Sequence, residues 1–422
     1  MGAQCSCQVP EEVDANEEFP LTPSKEYYSS KHGDCFQVGE DASYTVRSAG
    51  STSIPSDECS CPNDSKELGF KETDSQEDFL LRGQSSRSCR SYYLAGLPGD
   101  DGLSQASKGS LARLQVLVEG ADFLGAEVEL TKLMDELADP ATADERAIIS
   151  ASPLVMHIKD ELRLYREVAQ QCCQFTEPDS FLLYSNEHLH QSIHGSFDRH
   201  NPRVFHYHLR MVFPFQLAHV FSVAFEEELS TEWNSMLLKT PELIENEQGL
   251  HTVTSSQASA MLGLLKLDFL DRTQRFIDVE GGMLVEYVKT VEEGYDCHRP
   301  PIKGFKRVEN DVKSIWAACG PEKTLLLQAG TVQLPIPVTK WLATSIGGLA
   351  GRHLISNMVK TAQRATQPGN PWDKAMAEDS FGIYSKLYQC AQSPASLARS
   401  RDRECHLSNS DFQRFFNRTL PH

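Results

Sequence analysis

The segment Thr331–Thr366 constrains the fold of this chain more than any other. An apolar run typical of a β-strand ends there at a Pro-x-Pro pair, Pro335 and Pro337. Proline disfavours a helical conformation in the residue before it but suits the first turn of a helix, so the pair predicts a strand followed by a helix over 338–366. Apolar residues recur in that helix with a period near 3.6: Val338, Trp341, Leu342, Ile346, Leu349, Ile355, Met358 and Val359.

The charge of this predicted helix is opposite to that of the whole chain. The protein carries a net charge of −19, yet no Asp or Glu occurs between Lys323 and Trp372. The polar positions of the helix instead include Lys340, Arg352 and Lys360. A basic amphipathic helix after a β-rich region is typical of a lid on an apolar pocket that also meets an anionic membrane. The alternative is a helix that packs on the core and exposes a solvated basic face.

Composition narrows the class of protein. A length of 422 residues suggests roughly two to three domains. The acidic balance argues against a nucleic-acid partner. No apolar run reaches the roughly 18 residues needed to span a bilayer, and the N-terminus lacks the features of a secretory signal. None of the 12 cysteines forms a C-x-x-C pair, so we expect reduced thiols, no structural metal site and no cofactor.

The N-terminus carries an acylation pattern. The first six residues fit M-G-x-x-x-[ST], in which Gly2 accepts a myristoyl group once Met1 is removed. A single myristoyl chain holds a membrane only marginally, so a second signal is required. Acidic residues follow instead of a polybasic patch, so Cys5 and Cys7 are the predicted palmitoylation sites. The alternative is that a short pattern has occurred by chance.

Four regions follow from composition. Residues 1–109 are rich in Ser, Asp, Glu, Gly and Pro without an apolar period, so we expect an acidic disordered region, because it cannot bury enough apolar surface to offset its ordering entropy. A helical segment is predicted over 110–143 and the main ordered domain over 144–366. For 367–422 we expect a further helix and then a mobile tail.

The period of the apolar residues changes from helical to strand-like after Pro178. Helices are predicted over 111–137 and 144–174, with a break at Pro153. A short helix over 215–229 interrupts a series of strands, and Gly281-Gly282 marks a tight hairpin between two of them. The predicted strands are Phe181–Ser185, Val204–Arg210, Leu250–Ser255, Leu267–Val279, Met283–Val291, Ile302–Cys319 and Lys323–Gln333. This order is typical of an α+β protein whose antiparallel sheet grips the terminal helix.

Four segments carry a family resemblance. They are Val212–Phe221 running on to Trp233, the charged pair Asp271-Arg272, the hairpin Gly281–Val288, and Gln333–Pro337 before the helix that contains Trp341. Their order and spacing, over roughly 144–366, resemble the START lipid-binding family, a branch of the helix-grip folds. The family usually shows the charged pair in the order Arg-Asp, which is reversed here.

The resemblance implies a helix-grip fold, in which a curved antiparallel sheet wraps around the long C-terminal helix. It also implies a tunnel between sheet and helix that holds one lipid, a phospholipid or a sterol. Burial of an acyl chain contributes about 0.8 kcal/mol per CH₂, so such a pocket could extract a lipid without covalent chemistry. Arg275 and Glu286, on neighbouring strands, are candidate head-group contacts. The alternative for this pair is an exposed cross-strand ion pair. The candidate apolar contacts are Trp233, Trp341, Leu342, Ile346 and Leu349.

Histidines are concentrated between His188 and His208. His206 and His208 would point to the same face of a strand, a spacing that zinc enzymes use. No third ligand is evident, so we expect no metal site. The usual hydrolase, protease and nucleotide-binding motifs do not occur, and we expect no catalytic residues.

The sequence therefore predicts a non-enzymatic lipid-binding or lipid-transfer protein, tethered by acylation to a cytoplasmic membrane face. Two other hypotheses are open. One is a helix-grip enzyme of the hydrolase or cyclase type, whose turnover would depend on His206 or His208. The other is an anchored adaptor that senses a ligand or binds a protein partner.

Overall fold

The computed structural model describes residues 103–173, 180–187, 190–260, 263 and 265–406. The predicted acylation sites Gly2, Cys5 and Cys7 lie outside the described residues, as does nearly all of the predicted disordered region. The first helix begins at Gln105, five residues before the predicted helical boundary at 110. Helix α1 (Gln105–Glu119) starts there because the hydroxyl of Ser104 accepts a hydrogen bond from the backbone N–H of Ser107 at 3.2 Å.

The helix predicted over 111–137 is two helices. Helix α1 stops at Gly120, and α2 spans Phe123–Glu136. The side chain of Asp122 accepts a hydrogen bond from the N–H of Gly125 at 2.9 Å and starts the second helix. Ala121 between them has a φ of 50°, which ends a right-handed helix. A glycine followed by an N-cap aspartate is thus the signal for the break.

Helices α3 (Ala143–Ser150) and α4 (Pro153–Cys173) confirm the predicted break at Pro153. Proline occupies the first position of α4, where its missing N–H leaves no helical hydrogen bond unmade. The apolar face of α4 is buried over its whole length, from Leu154 to Cys173. Helix α4 is therefore the main helix on its side of the sheet.

Within the described residues, ten strands form one sheet in the order β1-β2-β3-β10-β9-β7-β6-β5-β4, with β8 beside β6. All neighbours are antiparallel except β6 and β8. The strands are β1 (Phe181–Asn186), β2 (Gln191–Phe197), β3 (Val204–Phe213), β4 (Glu242–Glu247), β5 (His251–Ala260), β6 (Leu265–Asp278), β7 (Met283–Thr290), β8 (Lys306–Arg307), β9 (Glu309–Ala318) and β10 (Thr324–Gln333). Helix α5 (Leu217–Phe225) and a 3₁₀ turn (Glu227–Glu232) separate β3 from β4.

Three strand predictions need correction. Strands β2 and β4 were not predicted from the sequence, and the strand predicted over 302–319 is divided into β8 and β9. Strand β4 has an exposed, glutamate-rich sequence with a bulge between Leu243 and Glu245, which suits the edge of a sheet. Such a strand carries no regular apolar alternation, so periodicity does not reveal it.

Helices cover both faces of the sheet. On the first face, α1–α4 pack on side chains such as Phe276, Val285 and Ile315 to form one apolar core. On the second face, a separate apolar core joins α5 to side chains such as Met211 and Trp316 and to the C-terminal helices. Successive side chains along each strand point to opposite faces of the sheet, so they contribute alternately to the two cores.

The helix predicted over 338–366 is confirmed. It comprises α6 (Lys340–Leu342), a π-helical segment (Ala343–Gly347) and α7 (Gly348–Ala365), which we call together the rod. The hydroxyl of Thr339 accepts a hydrogen bond from the N–H of Leu342 at 3.3 Å at its start. Within the described residues, no helix is long and apolar enough to cross a membrane.

Between the rod and residue 406, where the description ends, three helices are present and one was predicted. They are α8 (Pro371–Glu378), α9 (Ile383–Gln392) and α10 (Pro394–His406). Part of the expected mobile tail is therefore helical, and Arg403 of α10 is buried against the sheet. Its guanidinium donates to the carbonyl oxygens of Gly281, Gly282 and Ala318 at 2.6, 3.3 and 3.1 Å. These contacts hold α10 to the β6–β7 hairpin and to the end of β9.

Candidate functional site

The rod is attached to the curved sheet near both of its lateral edges. At its start it packs on the edge strand β1, where a Cβ atom on Gly348 would lie 2.7 Å from the carbonyl oxygen of Leu183. At its middle, the amide of Asn357 donates to the carbonyl oxygen of Trp233 at 3.2 Å, and His353 lies 3.3 Å from the hydroxyl of Ser235. The segment 233–238 in turn bridges to β5. The rod therefore spans the sheet from edge to edge.

Between these attachments, side chains of the rod such as Ile355 and Met358 belong to the same apolar core as Met211 on the central strand β3. Within the described residues the rod packs closely on α5, α8 and β1, whereas α4 on the opposite face packs closely on β7, β9 and β10. Several side chains of β3 and β10 that face the rod are only half-buried, although their strands lie in the middle of the sheet: Phe205, Tyr207, Leu209, Gln328 and Val332. We call the region between these side chains and the rod the inner space.

Tyr207 indicates that the inner space lies deep in the protein. Burial raises the pKa of its phenol well above the usual range, which requires that protein surrounds the hydroxyl group. The ring nevertheless keeps accessible surface. A half-buried ring on a central strand leaves surface that a ligand beneath the rod could cover.

A row of polar groups crosses the floor of the inner space. The hydroxyl of Tyr207 donates to the side-chain oxygen of Gln328 at 3.2 Å, and the amide of Gln328 donates to the hydroxyl of Ser314 at 2.9 Å. These residues lie on the adjacent strands β3, β10 and β9. Gln328 is the register partner of Ser314, whereas Tyr207 lies diagonally to it, two residues from its partner Leu209. The row gives an otherwise apolar wall hydrogen-bonding groups that could orient a ligand.

Arg275 and Glu286 lie further along the same face of the sheet. They are direct partners in the β6–β7 register, and Arg275 Nε donates to Glu286 Oε1 at 2.8 Å. Both are largely buried, with 6% and 13% of their side chains exposed. The alternative of an exposed pair is therefore wrong. Arg275 also donates to the carbonyl oxygen of Gly249 at 3.0 Å and lies 5.1 Å from the centre of the Phe225 ring.

Glu227 is a third charged group beside this pair, which sequence reasoning missed. Burial raises the pKa of its carboxyl group to about 7, with Arg275 lowering it and Glu286 raising it. Its Oε2 atom is buried and has no hydrogen-bond partner among the described residues. A buried polar atom without a partner is a ready contact for a ligand. Only the fold brings Glu227, in the 3₁₀ turn after α5, next to β6, so no local pattern marks it.

The residues predicted to make apolar contacts with a lipid lie on two different surfaces. Trp233 is half-buried against the core under the rod, and Leu342 is half-buried on the rod. Trp341 and Leu349, however, are 73% and 69% exposed and lie on the outer surface. This corrects the prediction that the apolar residues of the helix over 338–366 form one continuous stripe. The π segment has more residues per turn than an α-helix, so the positions before and after it do not keep one 3.6-residue phase. The side chain of Ile346 lies outside the described residues.

The basic residues of the rod contact aromatic rings. The ammonium group of Lys340 lies 4.9 Å from the centre of the Phe181 ring, and the guanidinium group of Arg352 lies 5.8 Å from that of Tyr184. Both rings belong to β1. The basic face of the rod thus helps to attach it to the edge strand, while both cations remain exposed to solvent.

His206 and His208 do lie on one face of β3, but it is the face away from the inner space. His206 Nδ1 lies 2.9 Å from the hydroxyl of Thr331, and His208 Nε2 lies 3.0 Å from the carbonyl oxygen of Cys172 at the end of α4. Burial lowers the pKa of His208 to about 4. Neither histidine can therefore act on a ligand held under the rod. His188 lies outside the described residues.

No family model matches the sequence, and no curated protein matches it. Among solved structures, the chain is similar to human StAR-related lipid transfer protein 5, with 18% identity, 49% of this chain and 98% of that chain covered, and a TM-score of 0.41. It is similar to human STARD10, with 15% identity, 48% and 79% covered, and a TM-score of 0.41. It is also similar to Zhui aromatase/cyclase from Streptomyces sp. R1128, with 12% identity, 40% and 98% covered, and a TM-score of 0.28. The described residues form the predicted α+β helix-grip arrangement, one antiparallel sheet with a long C-terminal helix.

Proposed function

We propose that this protein binds one lipid in the inner space and releases it by movement of the rod. The observation that carries the proposal is the half-buried state of Tyr207, Leu209 and Gln328 on the central strands beneath the rod. A lipid would cover this surface and fill the region between the rod and the sheet. A solved structure similar to this chain is named as a lipid transfer protein, which is consistent with this proposal.

The chemistry of the walls favours an amphiphilic ligand. Each buried CH₂ group of an acyl or sterol body contributes about 0.8 kcal/mol, so apolar contact alone provides most of the affinity. The polar end would lie at Glu227 and the Arg275–Glu286 pair, where an unpartnered carboxyl oxygen faces a buried guanidinium. We assign no covalent step to the site, and binding and release constitute its function.

Release requires the rod to separate from at least one of its two attachments to the sheet. Its hydrogen bond from Asn357 and its contact through His353 are few and partly exposed, so they are weak compared with a continuous apolar interface. The tight packing at Gly348 holds the other end on β1. We therefore propose that the rod opens at its Trp233–Ser235 side and remains on β1.

Acylation would keep this exchange at a membrane. We propose that Gly2 is myristoylated and that Cys5 and Cys7 are palmitoylated, which together provide the two signals needed for stable anchoring. The exposed Trp341 and Leu349, flanked by Lys340 and Arg352, would then contact the anionic cytoplasmic surface. The anchor and the rod would serve successive steps, tethering and lipid exchange.

Native mass spectrometry of the full chain, purified from a eukaryotic host without detergent, tests the lipid proposal. We expect a mass increase that corresponds to one lipid per chain. A Leu209→Trp variant, which fills the inner space, should retain less than about a fifth of that lipid, since the added ring occupies the site. Leu243→Trp is the matched control, because Leu243 is 47% exposed on the edge strand β4. An empty wild-type protein, or equal lipid in both variants, would reject the proposal.

A further inference from the structure

A second cavity lies on the opposite face of the sheet from the rod. It has a volume of about 420 Å³ and is enclosed by α1, α2 and α4 on one side and by β4–β7 and the loop after β7 on the other. Its walls include the apolar side chains of Val118, Phe123, Val253 and Val291. The volume and the apolar walls are those of a site for a small organic molecule.

Arg272 provides a positive charge in this cavity. Its Nη1 atom donates to the hydroxyl of Tyr295 at 3.1 Å, and its guanidinium group lies 5.2 Å from the centre of the same ring. Within the described residues, no carboxylate forms an ion pair with Arg272. A guanidinium group has five N–H donors, and Arg272 lines the cavity, so it can donate further hydrogen bonds to a ligand there.

The carboxyl group of Glu161, which interacts with Arg272, does not neutralise it. Glu161, on α4, accepts a hydrogen bond from the side-chain amide of Gln274, and burial raises its pKa to about 8. It is therefore mostly protonated at neutral pH and can donate a hydrogen bond. Burial lowers the pKa values of His157 and His251 to about 4, so both are neutral. The inner end of the cavity thus combines one cation with neutral hydrogen-bonding groups.

We propose that this second cavity binds a small-molecule carboxylate with an apolar body, whose carboxylate group lies against Arg272 and Glu161. The planar guanidinium matches a carboxylate through two parallel hydrogen bonds, and the apolar walls cover the rest of the molecule. Two exposed glutamates at the rim, Glu119 and Glu247, disfavour a dianion such as a phosphate ester, whereas the third, Glu292, is paired with Lys289. This site is independent of the lipid proposal, because it uses the other face of the sheet.

Fluorine NMR titration of the full chain with 4-fluorophenylacetate tests the assignment. We expect saturable binding of the acid and at least about tenfold weaker binding of 4-fluorophenylacetamide, which has the same shape without the charge. Arg272→Gln should weaken binding of the acid by about tenfold or more for the same reason. Arg299→Gln is the matched control, since Arg299 is exposed and pairs with Glu242 outside the cavity.

Two filling variants separate the cavities and keep the test valid if Arg272→Gln does not fold. Val118→Trp should abolish probe binding, because it fills the second cavity, whereas Leu209→Trp, in the inner space, should leave it unchanged. Equal binding of the acid and the amide, or full binding by Arg272→Gln, would overturn the assignment. The assignment would also be overturned if Leu209→Trp abolished probe binding while Val118→Trp left it unchanged. The absence of binding of the acid at millimolar concentration would overturn it as well. None of these results depends on whether a lipid occupies the inner space.

Discussion

Arg275 and Glu286 form a buried ion pair across two neighbouring strands, with Nε and Oε1 2.8 Å apart. The guanidinium group has further partners in the carbonyl oxygen of Gly249 and the hydroxyl of Thr252, and it lies over the ring of Phe225. Glu286 is the carboxylate that compensates its charge. Because the pair is shielded from water, the loss of Glu286 leaves the buried charge of Arg275 with Glu227 as its carboxyl neighbour, whose pKa is raised to about 7.

We predict that Glu286→Gln lowers the free energy of unfolding by about 3–5 kcal/mol, the usual effect of breaking a buried pair. Urea denaturation followed by circular dichroism measures this change. The double variant Arg275→Met/Glu286→Leu should recover most of the loss, because it removes both charges. Asp160→Asn is the control, since the Asp160–Arg163 pair is exposed and should contribute less than about 1 kcal/mol. A small effect of Glu286→Gln would mean that the pair is hydrated.

The glycines of the rod differ in the space around them. A Cβ atom on Gly348 would lie 2.7 Å from the backbone oxygen of Leu183, whereas one on Gly347 would find its nearest neighbour at 3.9 Å. We predict that Gly348→Ala lowers the melting temperature by several degrees, since the backbone of β1 must move, at a cost of about 1–3 kcal/mol. Gly347→Ala should be neutral or stabilising, because alanine favours the helix. Equal melting temperatures for the two variants would contradict this packing of the rod on β1.

Arg403 determines how the C-terminal helix docks. It donates to the carbonyl oxygens of Gly281, Gly282 and Ala318, so its loss removes three buried hydrogen bonds, although Gly282 also accepts from the backbone N–H of Ala318. We predict that Arg403→Met lowers the free energy of unfolding by about 2–4 kcal/mol. Arg401→Met, on the exposed side of α10, should change it by less than about 0.5 kcal/mol. Denaturant unfolding distinguishes the two, and an equal response would show that α10 is not held by these bonds.

Sequence reasoning was reliable where the relevant signal was local. The Gly281-Gly282 turn predicts the β6–β7 hairpin, and the hairpin in turn places Arg275 opposite Glu286. The Pro-x-Pro pair and the apolar period predict the rod. In each case a few adjacent residues determine the backbone, so one sequence contains the necessary information.

Features that depend on distant parts of the chain were not predicted. Glu161 meets Gln274 across 113 positions, because α4 packs on the sheet. The outward position of Trp341 depends on the π segment, which has no sequence signal that we recognise. Strand β2 pairs with β3, but its sequence QSIHGSF lacks a clear apolar alternation. Tertiary packing stabilises these features and overrides local preference.

Glu161 makes stability dependent on pH. Its pKa is raised to about 8 in the folded protein, mainly by burial, and is near the ordinary value of 4.5 when unfolded. The unfolded chain therefore loses this proton first, and stability falls as pH rises from about 4.5 to 8. We predict that Glu161→Gln removes this fall, so that its stability relative to wild type increases by roughly 2–4 kcal/mol between pH 5 and 8.

Urea denaturation at several pH values measures this difference. The groups that face Glu161 are His157 and Asp160 on α4, Arg272 on β6 and His251 on β5. The substitution retains all of them, so their titration is common to both proteins. Glu167→Gln, on the exposed side of the same helix, should show no such dependence. A constant difference between Glu161→Gln and wild type would place the carboxyl group in contact with water.

The exposed Trp341 and Leu349 side chains provide a direct test of membrane contact by the rod. We predict that Trp341→Ala weakens binding of the full chain to vesicles with anionic lipid by about tenfold, since it removes the largest apolar side chain on that surface. Protein made in bacteria without an acyltransferase isolates this effect from that of Gly2, and sedimentation with vesicles measures it. Binding should also decrease at high salt, because Lys340 is screened from the anionic surface.

Val128→Ala is the control for an apolar residue on the other face of the sheet, since Val128 is 56% exposed on α2. If both variants bound as wild type does, the rod would not be the membrane-contacting surface, and the basic residues near Trp341 would serve only to attach the rod to β1.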